Sequence, residues 1–294
     1  MQDQFTAAYL ETIRTRVLDP QGGFTGQAGG GYRADATAWV AVALQAMGKE
    51  TELLNAARAS LAALQLDDGR VCLSTQHHDT FWLTPLAILA WQGASDYREL
   101  QARAGRFLLA TTGRHWQRSP SLPFAHDPSL RGWPWIANTH SWVEPTSLAI
   151  LALRITGGAE QERVKEGLHL LLDRQLPGGG WNYGNTKVFG QELFPFPEST
   201  GTALNALKGM VPKSQIQKSL DYLKSRLQDV RTPLSLGWGL MGLASWGEKP
   251  TEARAMINEC LERQKRYGSY DTASLSLLMV ASRAPQGLES VFTK

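Results

Sequence analysis

Cysteine is nearly missing from this 294-residue chain, which carries only Cys72 and Cys260. Two thiols exclude a disulfide scaffold, are too few for a cysteine-rich zinc site, and fit a reducing cytoplasm. An excess of one charge is missing too: 30 basic residues face 27 acidic ones, a net charge of +3. That leaves no strong field for a nucleic-acid partner. No apolar run approaches the roughly 20 residues that span a bilayer; the best, 83–91, is about half as long. Met1-Gln2-Asp3-Gln4-Phe5 shows no basic segment followed by an apolar one, so no secretory signal is expected. The expectation is a cytoplasmic protein that is soluble or at most rests on a membrane surface. Phosphate-cradling and nucleophile-elbow motifs are missing as well. Gly29-Gly30-Gly31 precedes an apolar segment but lacks the Lys-Ser/Thr that a nucleotide needs.

Apolar material is abundant. Hydrophobic residues make up 43% of the chain and tryptophan occurs 10 times, enough to offset the entropy of ordering and exclude a disordered chain. This material is periodic. The segments beginning Asp35-Ala36-Thr37, Trp82-Leu83-Thr84, Glu144-Pro145-Thr146 and Glu198-Ser199-Thr200 each place a Thr six residues before an Ala, followed by a large apolar residue. Looser copies begin at Leu236 and Thr272. All six are apolar on nearly every side, which marks helices buried all round. Amphipathic, charged segments alternate with them at about 3–18, 51–66, 96–112, 160–175, 213–228 and 251–266.

Six apolar helices alternating with six amphipathic ones pack most economically as a closed ring, apolar helices inside. The pattern therefore predicts an all-α fold, a single (α/α)6 toroid over 1–294, with long loops at 19–34, 113–142 and 176–196. An open superhelix would need polar capping repeats, and none is visible.

The joints between outer and inner helices repeat too. Gln175 precedes Gly180-Trp181, Gln264 precedes Gly268-Ser269-Tyr270, Gln65 precedes Gly69-Arg70-Val71, and Gly22-Gly23-Phe24 follows the first helix. This pattern resembles the Gln-to-Trp repeat of squalene and hopene cyclases and the related Gly-Gly-Phe repeat of protein prenyltransferase β-subunits. The resemblance implies the terpenoid cyclase and prenyltransferase superfamily over essentially the whole chain. Arg33-Ala34-Asp35-Ala36-Thr37-Ala38 resembles the class II triterpene cyclase motif around the proton-donating aspartate, which puts Asp35 in the acid's place with Arg33 and Ala36 at the flanking acidic positions. The zinc site of the prenyltransferase branch is not matched: Asp68 stands four residues before Cys72, the wrong spacing, and Cys260 falls in an outer helix. Neither a metal nor a cofactor is expected.

In such a toroid the inner helices run parallel, so their N-termini gather on one rim that favours anions. Asp35, Glu144 and Glu198 fall at these ends. They read either as helix caps or, Asp35 first, as a general acid. His77-His78-Asp79 and His140 stand before the second and third inner helices; they read as loop polarity, as tuners of a nearby acid, or as metal ligands. Trp39, Trp82 and Trp238 read as core or as the lining of a central cavity that holds an isoprenoid and shields a carbocation. Trp142, Trp181 and Tyr183, from the long loops, join the candidate substrate surface, with Arg33 available for an anionic head group. The 176–196 loop, rich in Gly, Pro and aromatics, reads as a lid over one mouth of the ring or as a segment packed against the outer helices.

The leading expectation is a metal-independent, class II-like terpene cyclase or isomerase with Asp35 as acid, His78 or His140 as its tuner, and an isoprenoid or other hydrophobic small molecule as partner. The alternatives are a non-catalytic lipid- or partner-binding toroid, a prenyltransferase-like transferase, and a carbohydrate-active (α/α)6 enzyme with two opposed carboxylates.

Overall fold

A computed structural model describes residues 4–18, 22–74, 76–119 and 121–293. Among them, six helices make an inner ring: α2 (Ala34–Met47), α4 (Leu83–Ala90), α6 (Val143–Ile155), α8 (Pro197–Leu207), α10 (Pro233–Ser245) and α13 (Thr272–Arg283). Each packs on the next and α13 returns to α2, so the ring is closed. Outside lie α1 (Gln4–Arg14), α3 (Thr51–Ala62), α5 (Arg98–Ala110), α7 (Glu162–Asp173), α9 (Lys213–Leu227) and α11 (Ala253–Glu262), the last continued by the single turn α12 (Gln264–Tyr267). This is the (α/α)6 toroid expected from the alternation. Two short hairpins, β1 (Val17–Leu18) with β2 (Gly23–Phe24) and β3 (Lys187–Val188) with β4 (Gln191–Glu192), interrupt the long loops.

The repeated threonines hold the joints. Oγ1 of Thr37 accepts from the Phe24 amide at 2.9 Å, Thr84 from Val71 at 3.0 Å, Thr146 from Trp133 at 2.9 Å and Thr200 from Trp181 at 2.9 Å. Phe24, Val71, Trp133 and Trp181 are all buried. Each of these four joints thus drives one large side chain into the wall, and the first turn of the following inner helix satisfies the amide that goes in with it. The fifth copy has Leu236 in place of Thr; its joint, 228–232, is too short to drive in such a residue. The joint glutamines tie neighbours together. Gln65 Nε2 donates to the Leu100 carbonyl of α5 at 2.8 Å, and Gln175 Nε2 to Ser219 Oγ of α9 at 2.8 Å. Gly179 has φ +95°, and a Cβ there would lie 2.4 Å from the Lys218 carbonyl oxygen. Only glycine lets this turn press so closely on α9.

Hydrogen bonds close the ring between segments distant in sequence. Thr272 Oγ1 donates to the Thr25 carbonyl at 2.6 Å, Arg16 Nη1 donates to the Tyr270 carbonyl at 2.9 Å, and the buried hydroxyls of Tyr9 and Ser276 are 2.8 Å apart. The far mouth of the ring is crossed by the chain after α13. There the Leu288 amide donates to Asn205 Oδ1 of α8 at 2.9 Å, Arg154 of α6 pairs with Glu289 at 2.9 Å, and Gly287 sits against Ser245 of α10. With that mouth strapped over, the rim of helix N-termini is the accessible end.

Candidate functional site

Trp39 of α2 and Trp238 of α10 meet edge to face, ring centroids 5.6 Å apart at 79°. They are 8% and 5% exposed. They pack against each other and are buried, so their reading as cavity lining is corrected to core. Trp181 is corrected in the same way. It is fully buried, and its Nε1 donates to the Leu171 carbonyl at 2.6 Å, so it is a piece of wall between α7 and α8. Trp82 is half-buried against Trp135 of the 113–142 loop, centroids 5.9 Å apart.

The three acids sit inside the first turns of α2, α6 and α8, behind Arg33, Trp142 and Phe196 at the capping positions, and no side chain caps these helices. The cap reading is thereby corrected. True side-chain caps occur at α10 and α13, where Thr232 accepts from the Ser235 amide and Asp271 from the Ser274 amide. Asp35 is engaged by its neighbour: Arg33 Nε lies 2.8 Å from Oδ1 and Nη2 2.6 Å from Oδ2, a two-pronged ion pair. Arg33 is thus the partner of Asp35 in this geometry, and it also feels the negative charge of Asp271 at the start of α13.

Glu144 and Glu198 lie on neighbouring helices. Glu144 Oε1 accepts from Ser199 Oγ at 2.9 Å, and Glu198 Oε2 accepts from Ser235 Oγ at 2.6 Å. Burial pushes the Glu144 carboxyl above its ordinary range; the Ser199 hydrogen bond works against this and the negative charge of Glu198 adds to it. Tyr183, half-exposed at the mouth, has its phenol pushed up by burial and by both carboxylates. Its ring lies 5.1 Å from that of Phe196. Phe196 also lines an open groove of about 810 Å³ between the 176–197 segment and α9, with Phe194, Pro195, Leu176, Tyr222 and Val230. Tyr222, pushed up to about 12 chiefly by burial, also feels Glu198 from the groove side. Neither carboxylate lines the groove; the pair is linked to it through Tyr222, which feels Glu198, and through Tyr183, which feels both and packs on Phe196.

The histidines go elsewhere. His78 lies exposed on the turn before α4, where Ser74 Oγ and His77 Nδ1 are 3.0 Å apart. His140 packs edge-on against Trp116 at 4.9 Å. Among the described residues no hydrogen bond or ion pair joins either to Asp35, Glu144 or Glu198, and no group of three or more His, Cys, Asp or Glu could hold a metal ion. No helix is long and apolar enough to cross a membrane. Ser199, Ser235 and Tyr222 were not legible as site residues. Small hydroxyls in apolar helices, and a tyrosine on a charged one, carry no pattern of their own.

No protein-family model matches the sequence, and no curated protein does. Solved structures do match over the whole ring. The type II terpene cyclase MstE from Scytonema, in complex with geranylgeranyl dihydroxybenzoate, superposes with a TM-score of 0.63 at 15% identity, covering 96% of this chain and 96% of that one. The GH76A α-1,6-mannanase from a Salegentibacter species matches with a TM-score of 0.63 at 13% identity, covering 96% and 97%. A protein from Actinoplanes matches with a TM-score of 0.59 at 16% identity, covering 99% and 98%. At such identities the likeness concerns the fold: this chain has the toroid that a type II terpene cyclase and a mannanase also use.

Proposed function

We propose that the N-terminal rim carries out proton-transfer chemistry on an isoprenoid-class molecule, as a cyclase or isomerase, with Glu144 as the general acid. The observation that carries this reading is the Glu144–Glu198 pair. One of the two carboxyls is buried and held towards its neutral form, and Tyr183, which feels both, packs on Phe196 of an aromatic groove of a size that suits a small ligand. The groove takes the apolar chain along Phe194, Phe196 and Tyr222. The Glu144 proton adds to a carbon of the double bond, leaving a tertiary cation that the faces of Tyr183 and Phe196 stabilise by about 2 kcal/mol or more when desolvated. Attack by a second double bond closes a ring, and loss of a proton to Glu198 restores an alkene. The product is an isomer of the substrate; Glu198 releases its proton to solvent, and solvent returns one to Glu144. Asp35 holds the position of the acid in the resembling motif, but with both oxygens engaged by Arg33 it serves here as the anchor of an ion pair.

A second reading rests on the same pair. In glycoside hydrolysis a protonated carboxyl acts beside an ionised one, and a mannanase shares the toroid. The purified protein is incubated with C10 to C30 isoprenoids and their diphosphates, and in parallel with α-mannan and starch-type glucans. Cyclised or isomerised isoprenoids, lost in Glu144→Gln, support the first reading. Reducing ends released from a polysaccharide replace it with the second. A lipid co-purifying in native mass spectrometry without turnover makes the protein a carrier.

A further inference from the structure

A second pocket, separate from the carboxylate pair, lies between the 113–142 loop and the turn at Gly184–Asn185. Its volume is about 250 Å³, and it opens beside a shallower depression that shares Arg114, Trp116 and His140. Its walls form a chain of five rings. His140 stands between Trp142, at 6.3 Å, and Trp116, at 4.9 Å; Trp116 meets Phe124 at 6.3 Å; and Phe124 stacks flat on His126 at 4.3 Å and 10°.

The polar groups in this pocket are cationic or neutral, and no carboxylate lines it. Arg174 is buried at its floor, where Asp173 pairs with it and the Asp127 carbonyl accepts from it at 3.1 Å. Arg114 stands exposed at the mouth, and no carboxylate pairs with it among the described residues. Nδ1 of His126 is buried with no hydrogen-bond partner. A buried polar atom left in this state is rare in a folded protein, and it marks a place where a polar ligand atom would be stabilised.

We propose that this pocket binds a small planar aromatic carboxylate. The rings supply flat apolar walls, the free guanidinium of Arg114 offers the planar fork that matches a carboxylate, and the absence of acids from the lining removes the repulsion such an anion would otherwise meet. Phosphate is the poorer fit. It has no ring to stack, and Arg174, which could supply a second fork, is already committed to Asp173 and the Asp127 carbonyl.

The test uses the full chain with benzoate and 2-naphthoate as probes, benzyl alcohol as the uncharged counterpart and inorganic phosphate as the non-aromatic anion. Tryptophan fluorescence and calorimetry report binding. Saturable binding of the carboxylates is expected, naphthoate tighter than benzoate, with benzyl alcohol and phosphate weaker. Arg114→Gln is expected to weaken the carboxylates by about tenfold or more, the worth of one charge-assisted contact, and Trp116→Leu to weaken naphthoate more than benzoate. Arg114 and Trp116 are both on the surface, and an unchanged melting temperature shows that either variant is folded. The proposal is overturned if the carboxylates fail to saturate, if benzyl alcohol or phosphate binds as well as they do, or if Arg114→Gln binds them like the wild type. No isoprenoid enters this assay, so its outcome is independent of the chemistry proposed for Glu144.

Discussion

Oγ1 of Thr146 accepts a hydrogen bond from the backbone amide of Trp133 at 2.9 Å, thirteen residues back along the chain. Phe24 with Thr37 and Val71 with Thr84 repeat the same offset. In each case a joint residue is buried, and the threonine is the device that lets its amide be buried with it. Thr146→Val keeps the shape and removes the acceptor, stranding that amide. The expected cost is about 1–3 kcal/mol, seen as a fall of about 2–4 °C in Tm per kcal/mol. Thermal melts of Thr146→Val and Thr200→Val that match the wild type would show the threonines to be incidental.

Glu144 and Asp35 separate cleanly in turnover. On a substrate found by the screen above, Glu144→Gln should lose activity by about a hundredfold or more, the usual worth of a general acid, whereas Asp35→Asn should keep most of it. The pH dependence has a definite sign. Burial raises the Glu144 carboxyl, so turnover falls as pH rises through that raised value. The stability contribution of the protonated carboxyl is likewise fully present below the ordinary Glu range and is lost as pH rises. Loss of turnover in Asp35→Asn with Glu144→Gln still active would reverse the assignment.

His126 is pushed down to about 4, first by burial and then by Arg174 and His140. The unfolded chain protonates this histidine near 6.5, so its contribution is fully present above that value and is lost as pH falls towards about 4. Denaturant melts of the wild type across this window should weaken with falling pH more steeply than those of His126→Gln. Parallel curves for the two proteins would count against the assignment.

Two glycines are expected to be intolerant, beside one that is not. Gly179→Ala places a Cβ 2.4 Å from the Lys218 carbonyl oxygen at φ +95°, and Gly201→Ala places one 2.2 Å from the Trp238 carbonyl oxygen, where α8 and α10 touch. Each should cost about 1–3 kcal/mol or more in urea unfolding. Gly178→Ala meets nothing within 4 Å and should leave stability nearly unchanged. Equal midpoints for all three would mean that the turn and the helix contact relax freely.

The toroid itself was legible in the sequence, because its cause is local. Apolar segments marked by Thr37, Thr84, Thr146, Thr200, Leu236 and Thr272 alternate with amphipathic ones, and this alternation dictates which helices lie inside. The joint glutamines and aromatics followed from their spacing, whereas Gly132-Trp133, the third joint, shares the thirteen-residue offset from Thr146 but lacks a joint glutamine ahead of it. The site was legible only in part. The positions of Glu144 and Glu198 at helix starts could be read along the chain, but their pairing through Ser199 and Ser235 could not, nor could the capture of Asp35 by Arg33.

By itself the sequence determined the helices, the order of inner and outer ones and the rim on which acids gather, since these depend on periodicity and on chemistry within a few residues. Tertiary structure decided which indoles meet, which carboxyl is forced towards its neutral form and where the aromatic loops open pockets. Trp39 and Trp238 are far apart along the chain and meet only when the ring closes. A carboxyl is desolvated by every neighbour that surrounds it, and those neighbours arrive from several helices at once.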